Sequence, residues 1–124
     1  MLDITALPLT EELDTGLSPV ALFELFNNEQ FCFFLDSSMD KQKLGRYSFM
    51  GSRPFLVFCS RGDDIRLTRD EQTTMVKGNP FDVLGKYLEI YKLGSKDKPV
   101  PFSGGAVGYF SYDLCHFIEC LPKT

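Results

Sequence analysis

Residues 101–113 read Pro-Phe-Ser-Gly-Gly-Ala-Val-Gly-Tyr-Phe-Ser-Tyr-Asp, eleven residues before the last, Thr124. Gly104, Gly105 and Gly108 allow positive φ or close backbone approach. Val107, Tyr109 and Phe110 favour a pleated, half-buried surface. The stretch therefore predicts a glycine-led turn running into an apolar strand. Such a strand lies inside a sheet with a neighbour on each side, yet only Leu114–Thr124 follow. The expectation is that the chain is the front part of a larger protein.

Working back from this stretch, Gly94–Pro101 reads as a Lys/Pro linker. Before it, Phe81, Leu84, Tyr87, Leu88 and Tyr91 recur at helical spacing, with Asn79 as cap and Pro80 near the start, which predicts a helix with a core-facing stripe. Phe55–Ser60 and Asp64–Arg69 flank Arg61-Gly62-Asp63 as a hairpin, and Thr73–Lys77 adds a third strand to the meander. Tyr47–Met50 is extended and ends at Gly51–Pro54, while Met39–Leu44 is a polar excursion. Phe31–Leu35 is five apolar residues in a row, read as a strand buried on both faces. Ser18-Pro19 starts an earlier helix, with Ser capping free amides and Pro fitting the first turn. Leu22, Phe23, Leu25 and Phe26 form its apolar face, and Asn27-Asn28 ends it. Ile4–Leu9 reads as a short strand before the acidic Glu11, Glu12 and Asp14. Strands outnumber helices and hairpins dominate. The fold class is α+β, a mainly antiparallel sheet with two or three helices, forming the incomplete front part of a larger two-layer α/β enzyme.

The 124 residues suit one domain with a modest core, burying about two-thirds of the surface of the unfolded chain. A hydrophobic fraction of 44% and a charged fraction of 24% disfavour general disorder. Twelve Phe and five Tyr, with no Trp, predict a large apolar interior. A net charge of −4 with scattered Lys and Arg leaves no basic stripe to neutralise phosphates, so nucleic acid is not an expected partner. No stretch approaches the roughly 20 apolar residues of a membrane helix. Residues 1–10 lack the basic start and unbroken apolar run of a signal peptide. A cytoplasmic location is expected.

Cys32, Cys59 and Cys120 have apolar sequence neighbours, and all four cysteines are expected as free thiols in a reducing compartment. Cys115, His116 and Cys120 fall short of the four ligands and paired spacing of a structural zinc site. Asp36-Ser37-Ser38 at a strand end has the look of a nucleophile site. However, an activated serine needs a base within reach, and the one histidine, His116, lies in an unrelated setting. The plainer reading has Asp36 and Ser37 satisfying turn amides. Gly104-Gly105 lacks the following Lys-Ser/Thr and helix of a phosphate cradle. The residues themselves name no catalytic group.

Two blocks carry a family resemblance. Leu35–Gly51, with Asp-Ser-Ser and Gly-Arg-Tyr-Ser-Phe, forms the first. Pro101–Leu114, followed by Ile118-Glu119 and Leu121-Pro122, forms the second. In this order, with Asn79-Pro80-Phe81-Asp82 opening a helix between them, they resemble the N-terminal domain of the large subunits of aminodeoxychorismate synthase and anthranilate synthase. The resemblance implies that residues 1–124 are such a domain, without the C-terminal chorismate-binding domain that holds the family's catalytic residues. Phe34-Leu35-Asp36-Ser37 and Tyr109–Leu114 look more like aminodeoxychorismate synthase, the para-aminobenzoate and folate branch. Anthranilate synthase is the alternative, and a free-standing amino-acid-binding regulatory module is a further one.

For the full-length enzyme the resemblance implies chorismate, Mg²⁺ and ammonia from a glutamine amidotransferase subunit. It also implies a tryptophan pocket, in which Ser37 meets the ligand's polar end and Leu44, Gly45, Arg46 and Tyr47 form one wall. A serine and a backbone turn suit a zwitterion, and Tyr47 offers a ring edge. The chain departs from the family at Asp36, where anthranilate synthases commonly carry Glu, and at Cys115-His116, where Gly-Arg is more usual. The loss of that glycine implies a turn without positive φ. The apolar residues Val107, Tyr109, Phe110 and Leu114 would be left uncovered in an isolated chain, so self-association through them is expected.

Overall fold

Asp-Ile-Arg-Leu-Thr-Arg at 64–69 alternates apolar and polar side chains with a period of two, the pattern of a strand with one covered face. In a computed structural model, which describes residues 9–36, 45–92 and 101–120, this segment is the central strand of a three-stranded sheet. The elements in chain order are α1 (Pro19–Glu24), β1 (Phe33–Leu35), β2 (Phe49–Gly51), β3 (Val57–Arg61), β4 (Asp64–Arg69), β5 (Gln72–Lys77), α2 (Pro80–Ile90) and a 3₁₀ helix over Tyr112–Phe117. Both sheets are antiparallel, one ordered β3-β4-β5 and the other β1-β2. The α+β class and its antiparallel hairpins are as expected. Among the described residues no helix is long and apolar enough to cross a membrane.

The chain forms two units, whose described residues fall within Pro8–Pro54 and within Phe55–Thr124. In the second, two-residue loops set the register on both sides of β4. Gly62-Asp63 closes β3 to β4, with Gly62 at φ +59, the left-handed value glycine takes without a Cβ clash. Asp70-Glu71 closes β4 to β5, again with left-handed φ, +48 and +65. Ile65 and Leu67 point to the covered face and are 0% and 5% exposed. Beyond β5, Asn79 caps α2 by accepting from the Phe81 amide at 2.9 Å, and Pro80 occupies the first turn.

The unit within Pro8–Pro54 has no fully buried side chain among its described residues. Ser18 Oγ accepts from the Ala21 amide at 3.2 Å and so caps α1. The Phe23 ring stacks on Phe34 at 5.1 Å and meets Phe26 edge-on at 5.3 Å. Phe33 lies across from Gly51, where a Cβ would stand 2.7 Å from its ring, so the glycine admits the aromatic. Glu29 and Arg53 form a two-pronged ion pair, Nε to Oε2 at 2.7 Å and Nη2 to Oε1 at 2.5 Å. The Arg53 amide also donates to the Gln30 carbonyl at 3.1 Å.

Several expectations need correction. The strand read over Phe31–Leu35 is confined to Phe33–Leu35; Phe31 has φ +52, outside the β region, and is 62% exposed. Nor is β1 buried on both faces: Phe33 and Phe34 are half-buried and Leu35 is 50% exposed. Helix α1 ends at Leu25 rather than Asn27-Asn28, because Phe26 and Glu29 continue in i→i+3 turns. The glycine-led segment makes its turn, with Gly105 at φ +148 and a Cβ there 3.1 Å from Phe102. Val107–Phe110 forms no strand, since no partner strand among the described residues takes up its backbone groups, and Tyr109 is 93% exposed. The large apolar interior is also absent from the described residues, where Ile65, Leu67 and Pro80 are the buried apolar residues. Leu88 of the helical stripe is exposed, as are Cys59 and Cys120. All four cysteines are unpaired, and Cys115 sits in the 3₁₀ helix without positive φ. The strand expected over Ile4–Leu9 lies outside the described residues except for Leu9, which is in no strand. The Met39–Leu44 excursion lies outside them, as does the Gly94–Pro101 linker apart from Pro101.

Two outcomes follow from this packing. Ile65→Ala should cost about 2–5 kcal/mol through lost burial and a residual cavity, whereas Met75→Ala on the open side of β5 should stay within about 0.5 kcal/mol. Urea unfolding of both variants checks this, and equal midpoints would remove Ile65 from the core. The hydrogen bond from Arg53 holds the Glu29 carboxyl below its ordinary value. A depressed carboxyl stabilises above its unfolded pKa, and that contribution fades as pH falls through the folded value. Glu29→Gln should therefore lower the urea midpoint at neutral pH, with the difference from the parent closing at acid pH. A difference that persists undiminished in acid would show that the ion pair is not its source.

Candidate functional site

The β1–β2 hairpin positions the residues expected around a ligand. Its ladder pairs Leu35 with Phe49, so Asp36 and Ser48 are the next pair outward, at the mouth of the connecting loop. Ser48 Oγ donates to Asp36 Oδ1 at 2.7 Å, a short charge-assisted bond that ties the two ends together. The hydroxyl donates its one proton and the carboxylate accepts it on Oδ1, which leaves acceptor capacity on the carboxylate for further donors.

Just beyond Ser48, Tyr47 stacks on Phe49 with ring centroids 6.2 Å apart. The Arg46 guanidinium carbon lies 5.5 Å from the Tyr47 centroid, within cation–π range. Gly45 is half-buried, while Arg46 and Tyr47 are exposed. The structure thus brings Arg46, Tyr47 and Phe49 into one row at the loop's return. Ser37 and Leu44, the other two expected pocket residues, lie outside the described residues. Chemically the row offers a cation and two aromatic faces, an arrangement that can hold a flat or anionic group but contains no acid–base pair. Among the described residues no three His, Cys, Asp or Glu side chains come together as metal ligands.

Sequence reasoning overlooked Ser48. Its signal was register: once β1 and β2 pair around the polar loop, the residue facing Asp36 is set by counting back from Gly51. The turn amides expected to bind Asp36 lie outside the described residues; within them its bond crosses the hairpin.

Over 124 residues the chain is 35% identical to anthranilate synthase component 1 of Acetivibrio thermocellus, covering 98% of the chain and 25% of that protein. The protein of the same name from Synechocystis is 32% identical over 109 residues, 87% of the chain and 21% of the relative. That of Bacillus subtilis is 33% identical over 116 residues, 91% and 22%. The chain spans about a quarter of the length of these curated relatives. No protein-family profile matches it, and no solved structure does. By sequence the chain is similar, along nearly its whole length, to part of the anthranilate synthase component 1 proteins.

Proposed function

We propose that the chain serves as the N-terminal domain of an anthranilate synthase component 1, a chorismate-using enzyme, and that it is itself non-catalytic. The observation that carries this reading is the 35% identity that runs through nearly the whole chain. The three relatives described above bear the anthranilate synthase name, which favours that branch over the aminodeoxychorismate synthase first expected from Phe34–Ser37, Tyr109–Leu114 and Ile118–Pro122.

In the complete enzyme, chorismate, Mg²⁺ and a glutamine amidotransferase subunit would engage residues outside this stretch. Within it, Ser37, Leu44, Gly45, Arg46 and Tyr47 would form a wall for tryptophan. The physical support is the hairpin mouth: Asp36 and Ser48 hold the loop's two ends, and the stacked Tyr47 and Phe49 rings present an aromatic face beside the Arg46 charge. Asp36 is occupied by Ser48, so its carboxylate acts on the loop's shape.

Grafting this chain in place of the corresponding quarter of the Acetivibrio thermocellus protein tests the reading. The chimera should convert chorismate and ammonia to anthranilate, tryptophan should inhibit it, and Arg46→Ala should raise the inhibitory concentration about tenfold, the loss of one favourable cation contact. The chain alone should give no product. Turnover by the chain alone would overturn the non-catalytic assignment, and formation of aminodeoxychorismate by the chimera would restore the other branch.

A further inference from the structure

On β4 the covered face runs Ile65, Leu67 and then, two residues on, Arg69. A cationic side chain thus occupies the core phase of the strand. Its cross-strand partner is Gln72, and that of Leu67 is Thr74. These four residues, with Tyr87 and Tyr91 of α2, line a groove of about 440 Å³ at the turn end of the sheet. That volume falls in the range of small-molecule sites, about 300–1,000 Å³. None of the lining residues belongs to the β1–β2 hairpin.

The groove is organised around Arg69. Its Nη1 donates to the Tyr91 hydroxyl at 3.2 Å. Tyr91 is in turn held by an edge-on contact with Phe55 at 4.7 Å and by Tyr87, stacked at 6.5 Å. The guanidinium is therefore oriented by a side chain that is itself packed. Its other contact is Asp70, 3.5 Å from Nε, but that carboxylate is 86% exposed. An ion pair so open to water contributes little, and a carboxylate arriving from solution competes with it on good terms. Leu67, 5% exposed, supplies an apolar surface, and the two tyrosine rings supply flat ones. Gln72 and Thr74 add an amide and a hydroxyl.

We propose that this groove binds a small carboxylate carried on a flat ring, with Arg69 taking the carboxylate and Tyr87, Tyr91 and Leu67 taking the ring. Charge complementarity selects the anion, since a guanidinium fork matches a carboxylate's two oxygens. The paired tyrosines select the ring, because stacked aromatics favour another π face over an aliphatic one. The site goes beyond the family reading and stands or falls without it.

The test is a titration of the isotope-labelled 124-residue chain followed by amide NMR shifts. The probes are benzoate, benzamide as the neutral ring and acetate as the ringless anion. Benzoate should give saturable shifts at Leu67, Arg69, Thr74 and Tyr87, with benzamide and acetate each weaker. Arg69→Gln should weaken benzoate about tenfold, the loss of a charge-assisted bond. Tyr91→Phe, which keeps the ring and frees the guanidinium, should weaken it by about threefold. Dispersed sheet resonances report whether each variant folds. If Arg69→Gln does not, the benzoate–benzamide comparison on the parent chain decides. Shifts that stay linear to about 20 mM, that fall outside the groove, that benzamide or acetate reproduces equally, or that survive Arg69→Gln would each overturn the proposal.

Discussion

Strand β4 has hydrogen-bonding partners on both edges, and its alternate side chains Ile65 and Leu67 are withdrawn from water. That double pairing is the constraint on which the rest of its unit depends. A slip of one residue against either neighbour would turn Ile65 and Leu67 outward and bring Arg66 and Thr68 in. The two-residue loops on both sides prevent the slip. One uses glycine to reach left-handed φ; the other forces Asp70 and Glu71 there, which costs more. The second loop nevertheless fixes Arg69 opposite Gln72, and it is this end of the ladder that opens as the groove beside α2.

The hairpin unit is held differently. Without buried side chains among its described residues, it relies on directional contacts: the Ser18 cap, the Phe23–Phe34 stack, the Glu29–Arg53 fork and the Ser48–Asp36 bond. Each of these is individually modest and largely exposed to solvent. Elsewhere the chain presents much apolar surface, with Leu25 at 72%, Phe110 at 65%, Tyr112 at 86% and Ile118 at 70% exposure. Such surface favours association with something apolar.

Function was legible in the sequence where it is carried by blocks of residues in order. Leu35–Gly51 and Pro101–Leu114 carry a resemblance to the same proteins that the comparisons find similar, though the finer choice between two branches fell the other way from what those comparisons favour. The candidate site was legible in part. Arg46 and Tyr47 do come together, but the Ser48 partner of Asp36 required the strand register. Arg69 carried a local signal, a charge in the apolar phase of a strand, yet its meaning depends on Tyr91, twenty-two residues away.

The elements that the sequence determined by itself are those whose causes are local. Capping at Ser18 and Asn79, the Pro residues in the first turns, the glycine of the 62–63 loop and the period-two run of β4 each act over a few residues, and each stands where it was expected. What only the tertiary structure decided is burial and pairing. Phe31–Leu35 and Val107–Phe110 are apolar enough to be interior strands, but a strand exists only where another takes up its backbone groups. A single partner meets Phe33–Leu35, and none among the described residues meets Val107–Phe110. Hydrophobicity states a preference for leaving water; whether a residue leaves it depends on which surfaces the rest of the chain brings to cover it.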